Sequence, residues 1–453
     1  MTYKIFSTMK KLSNNAMRRV SYKLSAFSLM VGVFSTAFAL FSPLAAAETN
    51  ITFRYHDSEG PQMRSALDAF EKANPDIKVT MQRMSWGEAQ QQYLREAAVG
   101  SAPDVVEIVY VWARPFSTAG VLRPLDDLIA KSPPGIKGWN DFIAADLATG
   151  RDNKVYAVPY ATDTLAVLYN KELFKAAGIS KAPSSWAEMR ETSRAIYKKT
   201  GKAGFGFAAG TCGTPSIWFY LNSYWWSKGW ALIEDAGGGK YRVGITPGQI
   251  AEGLAYYKNF LDEGDNPKAM MSACLLGAPE IVEGMVKGDI AMVSVPDFTA
   301  LRIISTFKER FPGKPLPFAS APHPADVAGS KMHFGGRMLG ISPNAKNPEA
   351  AWKLIQFLTQ PEPAFTRFLT NYTPSQRTAV AMRSYPEGMS GFGEQLKTAR
   401  SWGPYALGPV AIPLMWNATG RAAGSVFIGE KTPAQAAGEL HSLISSELAK
   451  NQK

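Results

Sequence analysis

The chain has 453 residues, 46% of them hydrophobic and 19% charged, with a formal net charge of +11. Its apolar content is ample for burial, and its length exceeds what one simple core holds, so two domains of ordinary size are expected. No Lys/Arg-rich block is interleaved with aromatics, which argues against nucleic-acid binding.

The charge is unevenly placed. The first 23 residues carry Lys4, Lys10, Lys11, Arg18, Arg19 and Lys23 and no acid. An apolar run follows from Leu24 to Leu40, then Ala45-Ala46-Ala47 and the acidic Glu48. A basic start, an apolar middle and a small-residue exit are the pattern of a cleaved export signal over residues 1–47. The apolar run is shorter than the ~20 residues a spanning helix needs. Glu48 stands where a lipoprotein would need Cys, so a free, soluble, periplasmic mature protein is expected. Removing those six cations lowers the net charge from +11 to +5.

After Glu48, Ile51, Phe53 and Tyr55 alternate as in a strand. Met63, Leu67 and Phe70 follow at helical spacing, and Pro75 stops that helix. Ile77, Val79 and Met81 alternate again. Residues 87–99 read as a helix with Tyr93, Leu94 and Ala98 inward, and 105–111 as a buried β-branched strand. Asp126-Asp127 reads as a solvated loop or helix start. This β-α-β-α-β order implies a parallel sheet covered by helices. Ser185 to Glu188 and Thr246 to Gln249 are capping boxes, the second opening a helix with Ile250, Leu254, Tyr257 and Leu261 inward. Residues 280–286 read as a helix and 290–295 as a strand. Asn347-Pro348 and Thr432-Pro433 each read as a cap followed by Pro at the first helical position. The first buries Ala351, Leu354, Ile355 and Leu358; the second buries Leu440, Leu443 and Ile444. No Gly/Ser- or Pro-rich linker divides the chain, so ordered strands are expected to cross between its halves.

No catalytic constellation is visible. There is no G-x-S-x-G, H-E-x-x-H, C-x-x-C or G-x-x-x-x-G-K-[ST], and His56, His323, His333 and His441 are scattered. No cofactor or metal is expected. A glycosidase stays open, because its two carboxylates need no local signature. Cys212 and Cys274 form an isolated pair. In an oxidising compartment they read as a candidate disulfide closing a loop of about 60 residues, worth ~4 kcal/mol in the chain-entropy model; two buried thiols are the alternative.

Several phrases, in order, resemble the carbohydrate-binding extracellular solute-binding proteins of bacterial ABC transporters (family 1, maltose/trehalose-binding-like). They are Leu67-Asp68-Ala69-Phe70-Glu71-Lys72-Ala73-Asn74-Pro75-Asp76-Ile77, Ser101-Ala102-Pro103-Asp104-Val105-Val106, and Ala119-Gly120-Val121-Leu122-Arg123-Pro124-Leu125. Tyr156-Ala157-Val158-Pro159 with Leu168-Tyr169-Asn170-Lys171-Glu172-Leu173-Phe174, Gly288-Asp289-Ile290-Ala291-Met292-Val293 and Lys346-Asn347-Pro348-Glu349-Ala350-Ala351-Trp352 complete the set. The resemblance runs from about residue 50 to the C-terminus. It implies an α/β fold of two lobes, each a mostly parallel sheet flanked by helices, joined by hinge crossings. Lobe 1 is expected to hold 48–159 with 332–385, and lobe 2 to hold 160–331 with 386–453. A sugar would bind between the lobes, and the closed monomer would dock on a membrane permease.

Strand ends are where open α/β folds bind ligands. The loop after the first strand offers His56, Glu59 and Gln62, although Asp57 or Ser58 also suits a helix cap. Asp163 falls where the family commonly has an acid, and bracing the hinge is its alternative role. Trp86, Trp112, Trp225, Trp226, Trp230 and Trp402 are aromatics for sugar faces, with Trp112 and Trp230 better suited to core; of the adjacent Trp225 and Trp226, one can face the core and one the cleft. Tyr110 lies on the third strand. Gly335-Gly336-Arg337 resembles the family's Gly-Gly-aromatic approach to ligand, with Arg337 replacing the aromatic. Arg377 resembles the Arg of a Pro-Thr-Arg phrase displaced by one residue. Asp297 is a carboxylate available where relatives differ. Arg337 and Arg377 keep an anionic ligand open, alongside a polyol, glycerol phosphate or polyamine.

Overall fold

A computed structural model of the chain describes residues 48–56, 60–135, 137–210, 215–360 and 373–452, with backbone alone for 60–61 and 86–88. The expected signal at 1–47 lies outside the described residues. The described residues form twelve strands: β1 Thr49–His56, β2 Ile77–Met84, β3 Val105–Val109, β4 Ala157–Asn170, β5 Ala231–Gly237, β6 Lys240–Gly244, β7 Met292–Pro296, β8 Phe318–Ala321, β9 Ala325–Asp326, β10 Gly329–Ser330, β11 Phe334–Ile341 and β12 Thr373–Pro374.

The opening alternation predicted from sequence is there. β1 lies parallel to β2 and to β3, with Ile51 opposite Val79 and Phe53 opposite Val105. Helices Gly60–Ala73 and Trp86–Ala98 connect these strands. Ile51, Phe53 and Tyr55 are buried, and so are Arg54 and His56 between them, because both faces of the strand are covered. Parallel pairing between strands stops with these three. β11 runs antiparallel to β3 and to β4.

β4 is the strand on which the molecule turns. Its first half pairs with β11 and β12, as in Ala161 opposite Arg337 and opposite Pro374. Its second half pairs with β7 and β8, with Val167 opposite both Ser294 and Ala321. One extended segment therefore belongs to two sheets, which is the ordered crossing that the missing linker called for. Three apolar cores follow. One joins Ile51, Phe53, Leu67 and Phe70 to Leu354 and Ile355. A second joins Leu168, Ile281, Val293 and Phe318 to Phe392. The third gathers Trp218, Trp225, Leu254 and Tyr257 with Ile444.

Local signals were obeyed with informative exceptions. The Thr246 and Thr432 capping boxes are complete, opening helices Pro247–Asp262 and Pro433–Asn451. Ser185 accepts from the Glu188 N–H, but Glu188 returns its bond to Ser184. Asn347 makes no side-chain cap, so Pro348 alone marks the start of helix Pro348–Thr359. Ala98, expected inward, is exposed at its helix end, and Leu261 and Leu443 are only half-buried. β3 stops at Val109 rather than 111, and Tyr110–Trp112 form a 3-10 turn. The Tyr110 hydroxyl explains the stop: it donates to the Ala161 carbonyl at 2.9 Å and lies 2.6 Å from Ser375 Oγ, tying the end of β3 to β4.

Candidate functional site

Beneath the point where β3, β4 and β11 meet lies a buried polar layer centred on Glu107, fully enclosed on β3. Glu107 accepts the His56 N–H at 2.7 Å and the Tyr160 hydroxyl, and Arg337 Nε lies 3.3 Å from its carboxylate. The Glu107 carbonyl receives the Tyr93 hydroxyl at 3.0 Å and lies 3.1 Å from His56 Nε2. Burial drives the His56 pKa down to about 3, so the ring is neutral. His56 and Arg337, expected at the ligand, are instead enclosed parts of this layer. A buried arginine needs a counter-charge, and Glu107 supplies it.

Asp163 is different. It sits on β4 opposite Gly335, half-buried, and among the described residues its carboxylate has no hydrogen-bond partner. Gly335 makes the room: a Cβ there would stand 2.5 Å from Asp163 Oδ1. Burial raises the Asp163 pKa, opposed by the Arg337 charge. The neighbouring glycine has another task. Gly336 adopts φ +145, and a Cβ there would fall 2.2 Å from the Ala161 carbonyl oxygen and 2.6 Å from the Tyr110 ring. Only glycine fits, so Gly336 serves the packing of β11 on β4 rather than presenting a group to a ligand. Tyr110 is likewise buried, with its hydroxyl committed as above.

Asp297 opens helix Asp297–Arg310 and is buried. Its carboxylate accepts the Phe298 N–H at 2.8 Å and the Thr373 hydroxyl at 3.1 Å. Burial and the nearby Asp163 charge push its pKa up to about 7. It shares the electrostatics of Asp163 but is sealed by protein donors. Arg383, unremarked in the sequence, donates to Thr373 and so stands beside it. Arg377 is exposed at the start of helix Arg377–Met382 and does not join the cluster.

A largely buried aromatic wall packs around His333, and Trp402, expected to stack on a sugar, is itself enclosed in it. The helix Ile217–Ser227 supplies Trp218 and Phe219. Trp402 stacks on Trp218 with centroids 5.6 Å apart and an interplanar angle of 12°. The His333 ring lies 4.6 Å from Phe219 and 4.9 Å from Trp402, and Phe219 meets Trp416 at 5.1 Å. Neither Trp225 nor Trp226 faces a cleft. Trp225 is fully buried, with Nε1 2.4 Å from where a Cβ on Gly253 would be. Trp226 lies behind Trp402, its Nε1 3.3 Å from the Tyr405 hydroxyl. Adjacent residues on this helix are both covered, because the helix is buried on nearly every side. Trp112 and Trp230 are half-buried. Sequence reading missed Phe219, His333 and Trp416; the aromatic density of residues 217–226 was the available signal.

Gln62 is half-buried, with Oε1 sealed and lacking a partner among the described residues. Glu59 and the Trp86 side chain lie outside the described residues. So does Cys212; Cys274 is disulfide-bonded. Two surface grooves lie elsewhere. One of about 440 Å³ runs along helices Ile412–Phe427 and Pro433–Asn451, and one of about 370 Å³ lies by Arg114, Arg151 and Lys240. Neither is lined by Asp163 or the aromatic wall; the cluster at Asp163 is the candidate site because its carboxylate has no hydrogen-bond partner among the described residues. Among the described residues no group of three His, Cys, Asp or Glu is placed to hold a metal, and no helix is long and apolar enough to cross a membrane.

Comparison with known proteins places this geometry. The family model for bacterial extracellular solute-binding proteins matches residues 56–364. A binding protein of Brucella abortus (strain 2308) is 29% identical over 327 residues, covering 71% of this chain and 74% of its own. The maltotriose-binding protein of Pyrococcus abyssi is 25% identical over 284 residues, covering 58% and 52%. The GacH receptor of Streptomyces glaucescens, solved unliganded and with acarbose, superposes with a TM-score of 0.73 at 22% identity, covering 89% of this chain and 100% of that one. The shared architecture is the two-lobed α/β fold of periplasmic sugar-binding proteins.

Proposed function

Because this chain belongs to the bacterial extracellular solute-binding proteins, we propose that it captures a mono- or oligosaccharide beside β4 and delivers it to the permease of an ABC importer. The observation that carries the reading is Asp163, a half-buried carboxylate with no hydrogen-bond partner among the described residues, standing over Gly335 near the His333 ring that packs on Phe219 and Trp402. Sugars present hydroxyls at the edge and C–H patches on the face. A carboxylate serves the first, with charge-assisted bonds worth roughly 1.5–3 kcal/mol each, and aromatic faces serve the second. The names of two relatives, a maltotriose-binding and a diacetylchitobiose-binding protein, support that class.

The charge balance separates the alternatives. Three relatives are glycerol-3-phosphate-binding proteins. A phosphate wants free cations; Arg337 pairs with Glu107, Arg377 lies on the surface, and Arg383 donates to Thr373. A polyamine wants several open carboxylates, yet Asp297 is sealed by Thr373 and Phe298. A glycosidase would need a second carboxylate beside Asp163, and Asp297, the neighbouring acid, already accepts from Thr373 and Phe298. In this reading residues 1–47 are removed on export and the mature monomer begins at Glu48. Lobes of 48–159 with 332–385 and 160–331 with 386–453 then close about β4.

A melting screen of the mature protein tests this, using maltotriose, diacetylchitobiose, common hexoses, polyols, spermidine and glycerol 3-phosphate. A sugar at 100 times its dissociation constant adds about 2.7 kcal/mol of stability and is recovered intact after incubation. A shift with glycerol 3-phosphate or spermidine alone, or hydrolysis of the sugar, defeats the proposal.

A further inference from the structure

The groove of about 370 Å³ beside Arg114, Arg151 and Lys240 has no part in the sugar reading, and its walls come from both sides of the crossing strand. Arg114, on helix Ala113–Thr118, and Arg151 precede β4. Lys240 at the start of β6, Leu407 at the end of helix Gly403–Leu407, and Gln452 follow it. Hydrogen bonds fix this frame. Arg114 Nη1 donates to the Leu407 carbonyl at 3.2 Å, joining the two sides. Gln452 accepts the Tyr241 N–H and donates its own amide to the Tyr241 carbonyl at 2.7 Å, holding β6 against the end of the chain.

The charges are one-sided. Three cations line the groove and no carboxylate does. Arg114 is half-buried and bonds only to carbonyl oxygens, Leu407 and, at 3.5 Å, Thr149. A carbonyl satisfies an N–H but leaves the guanidinium charge in place. Arg151 and Lys240 are exposed, and neither side chain has a hydrogen-bond or ion-pair partner among the described residues. The acids close to them in sequence are spent elsewhere. Asp152 accepts the Tyr156 hydroxyl at 3.0 Å and the Lys154 N–H at 3.2 Å. Glu234 pairs with Arg242 at 2.8 Å, and Glu447 with Lys450 at 2.9 Å. Like charges gathered without a counter-ion repel one another, and an anion placed between them removes that cost. Arginine forks match the paired oxygens of a phosphate group. The volume is at the small end of ligand sites, which start at roughly 300 Å³.

We propose that this groove is a second binding site, for a small phosphate-type anion of two or more charges held by Arg114, Arg151 and Lys240. The cluster at Asp163 offers a ligand an open carboxylate, whereas this groove offers open cations, so the two take ligands of opposite character. Because the cations come from both sides of β4, a bound anion also ties those sides together and stabilises the arrangement in which they meet.

Calorimetric titration and melting of the mature protein with inorganic pyrophosphate test this. Pyrophosphate has none of the hydroxyl-bearing carbons of a sugar, so the result stands apart from the carbohydrate reading. It should bind and raise the melting temperature, and added sodium chloride should weaken it, since exposed charges are screened. Arg151→Gln with Lys240→Gln removes two exposed charges; ligand-free melting should stay unchanged and pyrophosphate affinity should fall at least tenfold. Lys175→Gln with Lys353→Gln makes the same change in net charge at two exposed lysines outside the groove and should bind as the parent does. No binding of pyrophosphate, or a loss at the groove no larger than in that control, overturns the proposal. Once pyrophosphate binding is established, sedimentation with phosphatidylglycerol vesicles identifies the source of the anion. Co-sedimentation that the groove variant loses assigns the site to a lipid headgroup, and no co-sedimentation assigns it to a free anion.

Discussion

Replacing Asp163 with asparagine keeps the side chain's size and removes its charge. Two opposite effects should follow. The carboxylate is the acceptor left open to a ligand, and an amide offers one weaker acceptor oxygen in its place. Losing charge-assisted bonds costs about 1.5–3 kcal/mol, so affinity for the bound sugar should fall from about tenfold to more than a hundredfold. Folding should move the other way. Asp163 has no hydrogen-bond partner among the described residues, and burial raises its pKa above the ordinary carboxylate value. A carboxylate with a raised folded pKa costs the native state nothing in acid. The cost enters as pH rises through the unfolded value and is complete above the folded one. Asp163→Asn should therefore melt no lower than the parent near pH 4 and higher at pH 8. Calorimetric titration with the sugar, paired with ligand-free melting at both pH values, checks both. Near-normal affinity with lowered melting at pH 8 would refute the argument and make Asp163 a brace of the hinge strand.

Glu107→Gln should cost about 3–5 kcal/mol, because it removes the carboxylate paired with the buried Arg337; denaturant unfolding reads this directly. Asp297→Asn should stabilise the protein increasingly as pH rises from 5 to 8, since the Asp297 pKa is pushed up to about 7 and its ionised form is the costly one; a pH series of melting temperatures in which the gap to the parent stays constant would count against it. Thiol labelling of the denatured, unreduced mature protein should find no free thiol, because Cys274 is disulfide-bonded and the chain holds one other cysteine, Cys212; two labelled thiols per chain would reject the bridge.

Much of the fold was legible because its signals are local. Alternation at Ile51, Phe53 and Tyr55, and boxes at Thr246 and Thr432, depend on neighbours a few residues away, so a window of sequence contains their cause. β4 was legible only in part. That ordered strands cross followed from the missing linker and the place of the crossing from the family resemblance, but its membership of two sheets depends on partners from residues 292 to 374. The end of β3 was misplaced for the same reason: the Tyr110 hydroxyl is held by Ala161 and Ser375, far along the chain.

The candidate site divides along that line. Composition, the export pattern and ordered motifs were sufficient to announce an α/β solute binder, and Asp163 was identifiable as an acid near a crossing. Which polar groups are spent and which are left open was decided only by tertiary contacts. Arg337 and Arg377 look alike in sequence, yet one pairs with Glu107 at 3.3 Å and the other is exposed. Asp163 and Asp297 are both candidate acids, yet Thr373 and Phe298 seal one and Gly335 leaves the other room. The physical reason is that a side chain's availability is the remainder after every neighbour has taken its hydrogen bonds and contact area. Periodicity fixes the face a residue occupies, but that remainder is set largely by residues distant in the chain, such as Thr373 for Asp297 and Glu107 for Arg337, brought together only when the chain is folded.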